Sequence, residues 1–446
     1  MNRNSQDRGQ WSSRLGFVLA TAGSAIGLGN VWLFPFMTGQ NGGAAFVVVY
    51  LFSIFLICLP FMFGELALGR FTQKNPVGAF RAIRPASLWV TTGYLSVLSG
   101  TFILSFYCVV AGWTLGYFFK TLVNNTLPFA AFASKPILVI PLFVAFLVLT
   151  IAIVHRGVRN GIERWSKILL PILLLVMLLL IIRSVTLPGA GKGLEFYLKP
   201  DFSKLNGRVV LAAMGQAFFS LSLGIGGIAT YGSYLSKKEN LVNAGILVAV
   251  FDTAVALLAG LLIFPALFAF GEAPNAGPPL VFIVLPKIFE QLPFGNIVGA
   301  GFFLLLALGA LTSTISMLEV PVSYCVDEKG WPRQQAVWIV GIVAVLIGLP
   351  SALSQGAVPG LSHLPFLGGQ SLMDAMIFVW FNLAPLVGAL FYSLFIGWIW
   401  GSRGAAQEIS QGSPVFPRSA TAWGIFMRYV IPVVIFAIFL SIVRAF

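Results

Sequence analysis

Residues 14–36 read RLGFVLATAGSAIGLGNVWLFPF. After Arg14 the stretch carries no charge and is long enough to cross a bilayer as one helix. Its middle is nonetheless poor helix. Gly23, Gly27 and Gly29 stand there with Ser24 and Asn30, and each glycine weakens a helix interior by about 1 kcal/mol relative to alanine. Gly27-Leu28-Gly29 is therefore the expected breaking point. Backbone freed at membrane depth finds no hydrogen bonds in lipid, so it must line a cavity or a bound ligand. The half-helix ends then offer N–H groups to an anion and carbonyls to a cation. Residues 208–235, RVVLAAMGQAFFSLSLGIGGIATYGSYL, repeat the pattern, with Ser220, Ser222, Gly224, Gly226 and Gly227 breaking an apolar run. Close helix packing accounts for small residues, but not for the serines and asparagine clustered among them. Two interrupted spans in corresponding halves of a chain point to the binding site of a transporter built from an inverted repeat.

The remainder of the chain sets the frame around these two stretches. Of 446 residues 58% are hydrophobic and 9% charged, with a mean hydropathy of +0.93. That composition belongs to an all-α polytopic membrane protein, not a soluble globule. Eleven spans are expected, at 14–37, 42–70, 88–121, 136–154, 164–184, 208–235, 242–270, 296–325, 334–350, 370–399 and 420–445. The net charge of +13 is distributed by side rather than clustered on one segment. With the N-terminus inside, eighteen of the 27 Lys and Arg fall on the cytoplasmic side. The positive-inside rule thus puts residues 1–13 in the cytoplasm and the C-terminus outside. The basic charge then signals topology and contact with anionic lipid, and no nucleic-acid partner is expected. Cys58, Cys108 and Cys325 lie in apolar segments, and His155 and His363 are far apart in sequence, which argues against disulfides and a metal cluster. No HExxH, Walker A loop or nucleophile elbow is found, so an enzyme is not expected. No cleavable signal pattern precedes Arg14.

The motifs GSAIGLGNVW (23–32), LFPF (33–36), NGGAAF (41–46), GQAFFSLSLGIG (215–226) and ALTSTISM (310–317) occur in this order. With them the chain resembles the neurotransmitter:sodium symporter family over nearly its whole length, in the style of its short bacterial amino-acid transporters. The resemblance implies a 5+5 inverted repeat with spans one and six unwound at mid-membrane. The first repeat would be 14–184 and the second 208–399. An outer loop at 185–207 separates them, a cytoplasmic loop at 400–419 follows, and span eleven lies within 420–446. It implies a bacterial cytoplasmic membrane and a monomer or weak dimer.

Sodium, a hard cation, takes oxygen ligands, and the resemblance implies two sodium sites with no organic cofactor. The first would use the Ala25 carbonyl, Asn30, Ser220 and an acid on span seven. Alignment there is ambiguous by one residue between Phe251 and Asp252, and only Asp252 can ligate through its side chain. The second would use carbonyls of Gly23, Ile26 and Gly309 with hydroxyls of Thr312 and Ser313. A substrate carboxylate would face the amides of Leu28 and Gly29 and the phenol of Tyr107. Its side chain would lie among Ile103, Tyr107, Phe219, Ser222, Ile225 and Met317. Ser24 and Ala25 would be near the amino end, beside Ser220 and Ser313. That lining holds no charge for a basic or acidic side chain. Amine-transporting relatives carry Asp where Gly27 stands, so the expected cargo is a neutral, hydrophobic amino acid. A buried Asp252 would replace the chloride that many animal relatives bind, with Tyr50, Gln216 and Ser220 around the vestigial site.

Tyr107 and Phe219 are expected to form an aromatic lid. Outside it the family usually pairs an Arg with an Asp, where this chain has Leu33 and Ile377. An apolar outer gate is expected, with Asp374 one turn away. Arg8, Trp11, Ser233, Tyr234 and Asp327 would close the inner side. Gly161 and Pro171 would let span five unwind and admit water to the second sodium. Glu65 would receive N–H groups of the unwound span six, while Glu319 receives no role. The expected function is sodium-coupled symport. A membrane sensor and a sodium-conducting channel are the rivals that could use the same site.

Overall fold

The computed structural model describes residues 9–124, 127–274, 281–365 and 368–445. Helix dominates, and there is no strand among the described residues. Nine helices there are long and apolar enough to cross a membrane: Ala44–Thr72, Val90–Leu122, Pro136–Val154, Val158–Val185, Leu241–Ala269, Gly295–Lys329, Arg333–Leu353, Leu372–Ile399 and Ala420–Arg444. These are spans two to five and seven to eleven of the sequence reading. The bent pair Arg14–Ala25 and Gly29–Gln40, meeting at 52°, makes a tenth. Helices Gly207–Ser220 and Gly227–Gly232 are each too short to cross alone. They add an eleventh span only when the non-helical residues 221–226 are counted inside one crossing.

Span one begins where Ser13 caps it, its hydroxyl accepting from Gly16 N–H at 3.0 Å. Its α-helix stops at Ala25, because Ile26 takes an extended conformation with ψ 105°. The chain re-enters helix at Leu28, passing into a π-helical turn at Gly29–Leu33. In span six Asn206 caps the first half by accepting from Val209 N–H at 3.0 Å. The break starts at Leu221, earlier than the glycines suggest, because Ser222 already adopts φ +53°. Gly224 (φ +82°) has a second reason to be glycine: a Cβ there would run into the Pro385 carbonyl of span ten.

Span eight packs along span three and also against the first half of span one. Spans five and seven flank span one from the other sides. Two stretches read as loops contain helix. Ala190–Leu198 lies in the 185–207 connection and packs on span seven. Ser402–Ser410 lies in the 400–419 connection and buries Ala405, Ala406 and Ile409. Fully buried Arg70 holds that second helix, donating to the Glu408 carboxylate at 2.7 Å and to the Glu408 and Glu239 carbonyls. A polar nine-residue helix carries no span-like signal in sequence, which is why it reads as loop. In the 271–295 connection Val284–Glu290 is helical, while Gly277, Pro278 and Pro279 lie outside the described residues.

Candidate functional site

The break in span one frees the last carbonyls of Arg14–Ala25, which have no intrahelical partner. Asn30, just past the break, folds its side chain back. Its Oδ1 accepts from Gly27 N–H at 3.2 Å. Its Nδ2 donates to Asp252 Oδ1 at 2.7 Å, and lies 3.2 Å from both the Asp252 carbonyl and Ser220 Oγ. Ser220 in turn donates to Asp252 Oδ2 at 2.6 Å and accepts from the Tyr50 hydroxyl at 2.9 Å. Asn30, Tyr50 and Asp252 are fully buried and Ser220 nearly so. Of the two candidates on span seven, the Asp252 side chain reaches Asn30 and Ser220, while Phe251 is half-buried. Gln216 Nε2 donates to the Gly29 carbonyl at 3.3 Å.

A second oxygen cluster lies on the span-eight side of the same break. Thr312 Oγ1 is 3.0 Å from the Ile26 carbonyl and 2.9 Å from the Gly309 carbonyl. Ser313 Oγ is 3.3 Å from the Ser24 carbonyl and 3.5 Å from that of Ile26. Gly23 faces Thr312 closely enough that a Cβ would touch its Cβ at 3.4 Å. Neutral oxygens from two helices converge, a donor set that a hard cation accepts. The first cluster adds a carboxylate, and a buried carboxylate is held at low cost only beside a counter-charge.

Between the clusters the Leu28 N–H donates to the Tyr107 hydroxyl at 3.0 Å. Ile103, Tyr107 and Met317 are buried, and Phe219, Ser222 and Ile225 are half-buried around them. Ser222 Oγ lies 3.5 Å from the Ser24 carbonyl, and Glu65 accepts from Gly224 N–H at 3.0 Å. Phe219, expected with Tyr107 to cover the substrate, stacks on Phe381 of span ten, with ring centroids 5.4 Å apart and planes within 11°. Phe219 sits at the last turn before the span-six break, and the π-helical turn Ile377–Leu383 brings Phe381 across to it.

The end of the molecule carrying residues 9–13 is closed. Trp11 Nε1 donates to the Tyr231 carbonyl at 3.0 Å, and its ring meets Tyr231, Phe17 and Tyr234 at 5.3, 5.9 and 6.2 Å. Arg8 lies outside the described residues. Asp327 accepts from Asn75 N–H at 2.9 Å and from its Nδ2 at 3.1 Å. The Ser233 hydroxyl donates to the Thr230 carbonyl at 2.6 Å. Glu319, left without a role in the sequence, is paired by Arg333 at 2.5 and 3.0 Å and accepts from the Tyr234 hydroxyl at 2.6 Å. A carboxylate inside an apolar span must find such a partner, and that requirement was the available signal. Glu163 was missed altogether. It accepts from Ser12 N–H at 2.8 Å and Ser12 Oγ at 2.5 Å, and it pairs with Lys167 at 2.6 Å. It thus ties the entry of span one to span five. Gly161 sits in the π-helical turn Val158–Glu163, and Pro171 lies inside Arg164–Val185, so span five is helical through both positions. At the opposite end Leu33 and Ile377 are half-buried. Asp374 forms a capping box with Ser371 and, among the described residues, no ion pair.

Comparison with known proteins gives the arrangement a context. The model of the sodium:neurotransmitter symporter family matches residues 8–137 and 133–446. The uncharacterized sodium-dependent transporter YhdH of Bacillus subtilis is 38% identical over 443 residues, covering 97% of each chain. The sodium- and chloride-dependent GABA transporter 2 of Rattus norvegicus is 28% identical, covering 89% of this chain and 74% of that one. Among solved structures, MhsT in complex with L-phenylalanine superposes with a TM-score of 0.87 at 43% identity, covering 98% of this chain and 100% of that one.

Proposed function

The chain belongs to the sodium:neurotransmitter symporter family, and from that premise we propose that it imports neutral, hydrophobic L-amino acids with sodium, without requiring chloride. It is a multi-pass, sodium-dependent membrane transporter. The observation that carries the finer reading is the pair of oxygen clusters at one helix break, one carboxylate-bearing and one neutral, with Gly27 between them. Two sodium ions suit the two clusters. The Leu28 and Gly29 amides and the Tyr107 hydroxyl suit a carboxylate, and the apolar surface of Ile103, Phe219, Ile225 and Met317 suits an uncharged side chain. MhsT, similar over its full length, binds L-phenylalanine, which favours the amino-acid class.

In this reading sodium at the first cluster neutralises Asp252 and touches the substrate carboxylate, so ion and cargo favour each other's binding. Sodium at the second cluster joins Thr312 and Ser313 of span eight to the broken span one. Its loss inward lets the two separate. The Trp11 and Glu319–Arg333 contacts must open for that step. The chain would sit in a bacterial cytoplasmic membrane with its N-terminus inside, as two five-span repeats and an added span, acting as a monomer or weak dimer.

Proteoliposomes under an inward sodium gradient test the reading. Labelled L-phenylalanine or L-leucine is expected to accumulate, to be competed by other neutral hydrophobic amino acids, and to be indifferent to lysine, glutamate and GABA. Binding without accumulation would make the protein a sensor, and a substrate-independent sodium current would make it a channel. Span five supplies a second test. Pro171 withholds the N–H that would bind the residue-167 carbonyl, keeping the helix ready to open near Gly161. Pro171→Ala restores about 1 kcal/mol of helix bonding and is expected to slow sodium release about fivefold in stopped-flow efflux. Unchanged release would remove span five from the exit path.

A further inference from the structure

A cavity of about 310 Å³ opens at the start of span five, lined by Ser12, Arg159, Glu163, Arg164, Lys167 and Ile168. We infer that it holds the phosphate of an anionic phospholipid from the cytoplasmic leaflet. The inference rests on the orientation proposed above.

Three cations line the cavity against one carboxylate. Lys167 is engaged by Glu163 and by the Ser13 hydroxyl. Arg159 and Arg164 are exposed, and among the described residues neither makes a hydrogen bond or ion pair. Two guanidinium forks with free donors match phosphate oxygens in a way an ammonium does not.

The surface below the cavity separates a lipid from a soluble anion. From Arg164, spacings of four, four, three and four residues lead through Ile168, Ile172, Leu175 and Leu179, all exposed. These positions share one face of the helix. From Ile168 to Leu179 the stripe covers about 16 Å, the depth of one leaflet of a roughly 30 Å hydrocarbon core. Trp165, half-buried beside Arg164, is the residue type favoured at headgroup level. A phosphate at the top and an acyl chain along the stripe use the whole surface, whereas inorganic phosphate uses only the top. The phosphate would share Lys167 with Glu163. Because Glu163 also fastens Ser12, the lipid would sit on the tie that leads into span one.

The test is native mass spectrometry of the full-length protein from micelles doped with equal phosphatidylglycerol and phosphatidylcholine. The unmodified protein is expected to retain phosphatidylglycerol preferentially. Arg159→Gln with Arg164→Gln should cut that preference roughly tenfold. Arg84→Gln with Arg418→Gln removes the same charge from two other exposed positions and should leave the preference intact. No preference in the unmodified protein, or equal loss in both double variants, would overturn the proposal. So would displacement of the lipid by millimolar inorganic phosphate, which would mark an ion site instead. Sodium-dependent L-phenylalanine binding, measured on the same samples, reports the transport site separately, so either reading can fail without the other.

Discussion

Replacing Asp252 with serine is expected to make substrate binding depend on chloride. In the intact protein this carboxylate is fully buried and receives hydrogen bonds from Asn30 at 2.7 Å and Ser220 at 2.6 Å. Removing one member of a buried charged network costs about 3–5 kcal/mol, since the remaining groups keep their desolvation penalty. That corresponds to a roughly two-hundred- to five-thousandfold weaker sodium-dependent affinity for amino acid in chloride-free buffer. Serine also leaves space where the carboxylate stood, edged by the Tyr50 and Ser220 hydroxyls and the Asn30 amide. Those donors can turn to a small anion, and chloride there would restore the missing negative charge beside the first sodium. Addition of chloride is therefore expected to recover most of the affinity, while gluconate should not. Asp252→Asn supplies the contrast. It removes the charge but fills the space, so it should be equally impaired and insensitive to chloride. The measurement is L-phenylalanine binding at fixed sodium across a chloride titration. If Asp252→Ser binds equally well with and without chloride, Asp252 does not carry the charge role assigned to it.

The span-one break is the feature most openly written in the sequence. Gly27 and Gly29 with Asn30 in a charge-free apolar run announce a helix that cannot stay whole, and the structure stops that helix at Ala25 and bends it by 52°. Asp252 was legible through the resemblance, which asks for an acid on span seven beside Asn30 and Ser220, and Asp252 is the residue there whose side chain can ligate. The contacts closing the inner end were only half legible. Trp11 and Tyr234 were named through the resemblance, but Glu319 and Arg333 lie on different spans, and no local pattern joins residues that only folding brings to 2.5 Å. Glu163 was hidden more thoroughly, as one acid among Arg159, Arg164 and Lys167 that reads as a solvated charge run. The Phe219–Phe381 stack was illegible because both are ordinary apolar residues of their spans. Their pairing depends on how a π-helical turn rotates span ten, a detail that hydrophobic pattern does not encode.

Gly27 carries the other large expected effect, and here the argument is one of space. A Cβ on Gly27 would lie 2.8 Å from the Tyr107 hydroxyl and overlap Ser313 Oγ. Neither neighbour can yield freely. Tyr107 is held by the Leu28 N–H, and Ser313 belongs to the neutral oxygen cluster through the Ser24 and Ile26 carbonyls. Overpacking of this kind costs about 1–3 kcal/mol, and the strain falls on both the proposed carboxylate donor and one proposed sodium ligand. Gly27→Ala is therefore expected to weaken L-phenylalanine binding roughly ten- to hundredfold and to raise the sodium concentration needed for half-maximal binding. Gly215 offers a matched control within span six. A Cβ there meets only Ile438, at 3.4 Å, so Gly215→Ala should bind like the unmodified protein. Scintillation proximity binding across a sodium titration reads both quantities in one experiment. Unaltered affinity in Gly27→Ala would mean that the space before Tyr107 is not reserved for a carboxylate, and the assignment of the substrate's charged end would have to move. If substrate affinity falls but the sodium dependence stays fixed, the methyl acts through Tyr107 alone, and Ser313 is then not a ligand of the coupling ion.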